Sequence, residues 1–479
     1  MPIDLNANPA NVNPGQPDVV PMLRRLQANI LKHHGRQHAL HVFLRFSPHD
    51  LPALKAWIRG LNITSALKQL EDAVQRKAQV SHDGGMVRLF LLTNAGCTLL
   101  GLKAPESRAF QQGMAARQNE LNDPGQFGWE HGFSEEIHAL LILADSDKSR
   151  LEKELTTVEQ QVRGLAGLVK VQWGQVLKNA DGIGIEHNGY ADGISQPIYL
   201  ETELSEYLAN QARINGQFDP TRPDQGWNPA APLSLVLVAD PAAPEGLDDC
   251  FGSFLVFRKL EQNVRKFKAQ EAALAAMLPK HLEELAGALA VGRFEDGTPV
   301  SLSKQALQIR NDKDLPNDFT YSDEKDQNLL RCPFHAHIRK TNPRQAGLGG
   351  EEEDKQRRLT RRGIPYDEIG RTSLDEFPEG GVGLLFMAYQ SDIERQFEFI
   401  QQQWVNNPGF PQDDTGNDPI LGQNLDPSGL WSDQNHNWQT AQAPNTALAS
   451  AFQHHFHDTV RLKGGGYFYA PSLPALQHL

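Results

Sequence analysis

Apolar and polar residues alternate through ALHVFLRF (39–46) as in a strand, and the apolar runs MVRLFLLT (86–93) and IHALLILA (137–144) also read as strands. Between the first two, PHDLPALKAWIRGLN has helical spacing, and after the third SDKSRLEKELTTVEQQ reads as a charged helix. LAGLVKVQWGQV then supplies a fourth strand. The order β-α-β-β-α-β is the ferredoxin-like pattern, an antiparallel sheet with helices on one face. A similar rhythm returns later. LSLVLVA (233–239) and GSFLVFRKL read as strands, EQNVRKFKAQEAALAAML as a helix, and VGLLFMAYQ as a strand running into the helix SDIERQFEFIQQQWVN. The chain is doubled, so the expected fold class is α+β: two ferredoxin-like domains with antiparallel sheets.

Both strand-to-helix junctions, LADSD (143–147) and YQSDI (389–393), put Ser-Asp where a helix needs a capping oxygen. Ser391 and Glu394 have capping-box spacing, and Ile393, Phe397, Ile400 and Trp404 share one helical face, which predicts burial. NQARINGQFDPTRPDQGWNPAAP (210–232) is rich in Pro, Gly, Asn and Asp without apolar period, so the boundary falls there. The expected division is an extension over 1–20, a first domain over 21–222 and a second over 223–479. Two such domains leave a cleft in which a cofactor can sit.

Composition narrows the function. With 479 residues, 39% hydrophobic and 22% charged, the chain can bury a large core. No window approaches the roughly 18 continuous apolar residues of a membrane span. The opening residues show no basic segment followed by an apolar one, so the expected location is cytoplasmic. A net charge of -13 argues against a nucleic-acid surface. Cys97, Cys250 and Cys332 are too few and too scattered for a disulfide framework or a CxxC metal site. GGEEEDKQRR (349–358) reads as a solvated loop.

Three stretches carry candidate chemistry. In RCPFHAHIRKTNPR (331–344), His335 and His337 lie two apart; on a strand they would share a face. They could be simply buried, could bind a non-haem metal with help from HHFHD (454–458), or one could ligate haem iron while Arg339, Lys340 and Arg344 neutralise propionates. In EHNGYADGISQP (186–197), Gly189 and Gly193 bracket Asp192 in a tight turn. In LTRRGIPYDE (359–368), paired arginines precede a Gly-Ile-Pro-Tyr turn.

Together the three stretches resemble the dye-decolourising peroxidase family, with its GxxDG motif in the first half and haem-ligating His in the second. WGQVLKNADGIGIEHNGYADGISQP, GSFLVFRKLEQNV, CPFHAHIRKTNPR, RRGIPYD, GNDPILG and GGGYFYAPSLPAL extend the similarity nearly end to end. It is strongest to the larger branch, which includes fungal and some bacterial and cyanobacterial enzymes. The resemblance implies haem b between the two domains, with His337 as iron ligand and His335 as bystander. It implies Asp192, followed by Gly193, as the acid-base group towards hydrogen peroxide. Arg361 becomes the arginine stabilising the charge that develops, with Arg362 as fallback. Arg339 should meet a propionate, and Asp418 in GNDPI is the candidate to orient His337. Asn188 departs from the Phe that many relatives carry before the GxxDG glycine.

The expected activity is oxidation of bulky dyes and phenolic or other aromatic reductants, with an optimum below neutrality because the acid-base group is a carboxylate. Tyr366 and Trp404 are candidate electron relays for dyes too large to enter. The alternative is a protein that binds or strips haem without peroxidase turnover. No nucleic-acid or membrane partner is expected, and the assembly is left between monomer and homodimer.

Overall fold

The computed structural model describes residues 3–78, 83–218, 226–276, 278, 280, 283–321, 332–347, 349–411, 413, 415–423, 456 and 458–479. The first-half strands are β1 (His38–Phe46), β2 (Val87–Leu92), β3 (Ala139–Asp145) and β4 (Ala166–Gln175), followed by the small hairpin β5 (Leu177–Lys178) and β6 (Gly184–Ile185). The second half contributes β7 (Val238–Ala239), β8 (Phe251–Gln262), β9 (Thr360–Arg361), β10 (Ile364–Asp367), β11 (Val382–Gln390) and β12 (Val460–Ala470). The long strands form one antiparallel sheet in the order β10-β11-β8-β12-β2-β3-β1-β4. Each half therefore has the same order, fourth-first-third-second, which is the ferredoxin-like arrangement the doubled pattern predicts. The halves join where Tyr469 of β12 pairs with Leu92 of β2. At the other end β4 meets β10 closely: a Cβ on Gly174 would lie 2.6 Å from Ile364. The sheet curls into a barrel.

Residues alternate between two apolar layers, which is why these strands look continuously hydrophobic. From β1, Ala39 and Phe43 point into the barrel, where Phe43 meets Phe133 and Phe257 at ring distances of 5.1 and 5.0 Å. Leu40, Val42 and Leu44 point outwards to Leu54 and Ile58 of the helix Leu51–Arg59 and to Leu151 and Val158 of the helix Lys148–Gln161. Asp147 caps the latter, accepting from the Ser149 amide. Residues read as an N-terminal extension are packed on this body, with Val12 and Val19 in the core.

Several local expectations change. LSLVLVA forms a single turn at Leu233–Leu235 and the two-residue β7, with Leu233, Leu235, Val236 and Leu237 buried in the core. The helix Glu201–Phe218 runs into the stretch read as an aperiodic boundary. Residues 350–357 form a helix, not a solvated loop, with Asp354 buried and accepting from the Gln345 and Gly347 amides. The segment after LTRR is strand: β9 and β10 both pair with β11. At YQSDI the amides of Ser391 and Asp392 are satisfied by Gln396 rather than by a Ser391–Glu394 box, and Glu394 turns to Ser107 and Ala109. The following helix has π geometry over Glu394–Glu398 and Ile400–Val405, with Ile393, Phe397, Ile400 and Trp404 buried as expected. The three cysteines are free and buried.

Candidate active site

A cavity of about 240 Å³ lies against the outer face of the second-half sheet, walled by Leu260, Leu384 and Phe386 together with Ile400, Trp404 and Leu421. The first half closes it with residues 186, 188 and 190 through 197. His337, Asp192, Gly193 and Arg361 all line this cavity. It shares Asp192, Gly193, Ile194, Gln196 and Arg361 with a second cavity of about 480 Å³. The carboxylate–guanidinium pair thus stands where the two spaces meet.

His337 does not lie on a strand; it opens the helical turn His337–Thr341, and that turn sends the neighbouring side chains in different directions. The His337 ring, 24% exposed, places Nδ1 2.8 Å from Oδ2 of Asp418, whose side chain has no exposure. The other oxygen of Asp418 accepts from the Ile420 and Leu421 amides at 2.8 and 3.0 Å. Burial works against charge on both partners, yet each overcomes it. The Asp418 charge and hydrogen bond hold the His337 pKa above its ordinary value, and His337 with the two amides holds Asp418 below its own. With Nδ1–H given to Asp418, the Nε2 lone pair is the one available to a ligand.

His335 is buried but does not line the cavity. Arg339 is a correction: its guanidinium stacks over Phe334 and Tyr321 at 4.3 and 4.7 Å and donates to the Cys332 carbonyl at 2.6 Å, so it turns into the core rather than to the cavity. Lys340 is also withdrawn, donating to the carbonyls of Asn407 and Gly416, and burial lowers its pKa to about 7. Besides Arg361, the cations that reach the cavity are Arg293, Arg344 and Arg358. Arg344 and Arg293 converge on Asn317 Oδ1 at 2.6 and 2.8 Å, and Arg344 also donates to Ser195 Oγ at 2.6 Å. Burial, then the charge of Arg293, pulls Arg344 down to about 9, and burial leads in bringing Arg293 to about 10. No carboxylate pairs with either among the described residues. Arg293 gave no signal in the sequence, because it approaches Arg344 only through the fold.

Asp192 sits in a turn whose flanking glycines need left-handed backbone, Gly189 at φ +100° and Gly193 at φ +77°. Its Oδ1 is 3.2 Å from Nη1 of Arg361, with the two side chains 37% and 33% exposed. Arg361 further donates through Nη2 to the Ser195 carbonyl and through its amide to Gln196 Oε1. Arg362 points the other way, to the carbonyls of Asn29 and Ile30. Asn188 is buried in the cavity wall. Of the HHFHD cluster, residues 454, 455 and 457 lie outside the described residues; among the described residues no three metal-capable side chains converge.

This set of groups suits haem. An apolar-walled space bordered by buried guanidiniums without carboxylate partners accepts a flat macrocycle carrying two carboxylates, and a basic imidazole offers Nε2 to its iron. A barrel of two ferredoxin-like sheets with such a cavity defines a class of α+β-barrel oxidoreductases, and comparison with known proteins places the chain within it. Residues 25–176 match the DyP dimeric alpha+beta barrel domain, and residues 295–415 match the C-terminal domain of Dyp-type peroxidases. The chain is 37% identical over the full length of both proteins to the multifunctional dye peroxidase DyP2 of an Amycolatopsis species. It is 32% identical to a dye-decolorizing peroxidase of Mycetinis scorodonius, across 77% of this chain and 71% of that one. The crystal structure of an Anabaena DyP-type peroxidase superposes with a TM-score of 0.84 at 35% identity, covering 99% of this chain and 98% of the other. The chain belongs to the dye-decolourising peroxidase family and is a peroxidase; peroxidases of this family are haem enzymes. Among the described residues no helix is long and apolar enough to cross a membrane.

Proposed function

We propose that this peroxidase holds haem b in the cavity and uses hydrogen peroxide to oxidise bulky dyes and phenolic or other aromatic reductants. The observation that carries the reading is the meeting of His337, backed by Asp418, with the Asp192–Arg361 pair in the lining of one cavity. His337 would supply a nitrogen ligand to the haem iron, and Arg293 and Arg344 would hold the propionates. Haem, when bound, supplies an iron that accepts the oxidising equivalents of peroxide and releases them one electron at a time.

The protein's own part is proton handling. The Asp192 carboxylate takes the proton from one peroxide oxygen and returns it to the other, so that the departing oxygen leaves as water. Arg361 stabilises the negative charge that develops during the transfer and holds Asp192 in place through their ion pair. Asp418 keeps the Nδ1 proton of His337 engaged, which makes Nε2 the stronger donor. The test is multiple turnover of an anthraquinone or azo dye, and of a phenolic reporter, by haem-loaded protein supplied with peroxide. Many turnovers per haem support the reading. Binding of haem without turnover returns the protein to haem handling and overturns it.

A further inference from the structure

The two segments that carry Asp192 and Arg361 touch at a second place, away from the pair itself. His187 lies five residues before Asp192, is buried, and its Nε2 is 2.9 Å from the carbonyl oxygen of Tyr366, five residues after Arg361. The other ring nitrogen, Nδ1, is 3.2 Å from Nη1 of Arg371, which also donates to the His187 carbonyl at 3.1 Å. A carbonyl can only accept and a guanidinium can only donate, so His187 must be the neutral tautomer with its proton on Nε2. Burial supports that state, lowering its pKa to about 4. Arg371 is in turn strapped by its own loop, donating to the carbonyls of Ser373 and Leu374, and its amide is held by Asp367. The chain between residues 186 and 190 is stiffened on its inner side by Glu186, whose carboxylate accepts from the Asn188 and Tyr190 amides at 2.9 and 3.0 Å.

We propose that His187 is a positioning residue: clamped between Tyr366 and Arg371, it fixes the spacing between the Asp192 turn and the β9–β10 segment carrying Arg361, and so the alignment of the peroxide-handling pair. The inference rests on the roles proposed above for Asp192 and Arg361. Both side chains of the pair are about a third exposed, and Arg361 is held beside its partner by the Ser195 and Gln196 contacts and by the pairing of β9 with β11. A buried clamp beside this exposed pair adds to its rigidity.

The experiment uses haem-loaded protein and measures the bimolecular rate of reaction with hydrogen peroxide by stopped flow, together with amide hydrogen exchange. His187→Phe should slow the peroxide reaction by about tenfold, because a small misalignment is costly to a proton transfer. Haem content should be unchanged, and exchange should quicken in residues 186–192 and 361–367 together. His187→Gln, whose amide can still donate to the Tyr366 carbonyl, should recover most of the rate. Arg371→Met should reproduce the slowing, and the double variant His187→Phe/Arg371→Met should be no slower than the worse single. If His187→Phe does not fold, Arg371→Met carries the decision. A wild-type peroxide rate in the folded variants overturns the clamp, as does failure of His187→Gln to recover the rate. Asp192→Asn is the control: if it also reacts as wild type, the proposed roles of the pair fail; if it alone is slow, only the clamp fails.

Discussion

Where His337 meets the cavity, its ring is backed by a carboxylate without solvent exposure that two backbone amides hold in place; where Asp192 meets it, carboxylate and guanidinium are 37% and 33% exposed and joined by a single 3.2 Å contact. On the proposed reading, one side would hold a group permanently, and the other would take in and release small molecules and protons. Burial turns the His337–Asp418 contact into a strong electrostatic one, whereas water at the Asp192–Arg361 pair screens it and leaves proton exchange open. The lesson is that ligation and acid-base work demand opposite environments, and the fold supplies them from different segments: a helical turn anchored by a buried loop, and a glycine-flanked turn facing an open passage.

The largest effects should come from the buried side. His337→Ala is expected to abolish haem retention through gel filtration, read as the loss of the haem absorption band from the protein peak. Asp418→Asn should leave a folded protein whose haem affinity is about 10- to 100-fold weaker, measured by titration, since the orienting acceptor is gone. On the exposed side, Asp192→Asn should keep wild-type haem affinity while slowing the peroxide reaction by at least about a hundredfold. Equal effects of Asp418→Asn and Asp192→Asn on haem affinity would erase the distinction between the two sides.

A smaller effect concerns pH. Burial lowers the pKa of His41 and His187 to about 4, below the ordinary histidine value of 6.5. Between those values the unfolded chain binds protons that the folded chain does not, so stability is full above pH 6.5 and is lost as pH falls towards 4. His41, wholly buried in β1 with Nδ1 3.3 Å from the Gln172 carbonyl, contributes about 3 kcal/mol to that loss at about 1.4 kcal/mol per pH unit. His41→Leu should flatten the fall in Tm between pH 6.5 and 4, and an unchanged slope would show that this residue titrates normally.

The smallest effect is expected at Tyr366, read from the sequence as an electron relay at the surface. The structure buries it, 1% exposed, with the Lys259 ammonium 4.5 Å above its ring and no hydrogen-bond partner for its hydroxyl. A cation over the ring opposes removal of an electron, and the proton has nowhere to go. Tyr366→Phe should change bulky-dye turnover by less than about twofold. Trp404, 6% exposed, lines the cavity and stacks on Phe410 at 5.3 Å, so it is buried too but stands next to the chemistry.

The sequence was most legible where function is local. Asp192 with its glycines, and Arg361 three residues before β10, occupy short motifs, and the doubled strand order follows from alternating apolar runs. Arg339 was misjudged because closeness in sequence to His337 says nothing about direction once a helical turn begins: two residues on, the side chain points to Phe334 and Tyr321. Arg293 was invisible for the converse reason, since 51 residues separate it from the Arg344 with which it shares Asn317. The acidic run at 350–357 looked like solvated loop because its helix buries one residue only, Asp354. His187 carried no signal at all, because a clamp is defined by what lies on both sides of it.

The measurement that bears most directly on the account is a haem titration of cofactor-free protein, followed by absorption, with one equivalent of peroxide then added by rapid mixing to wild type and Asp192→Asn. The account predicts one haem per chain in both, an immediate spectral change in wild type, and a change slowed at least about a hundredfold in the variant. A chain that takes up no haem, or a variant that reacts with peroxide as fast as wild type, would contradict it.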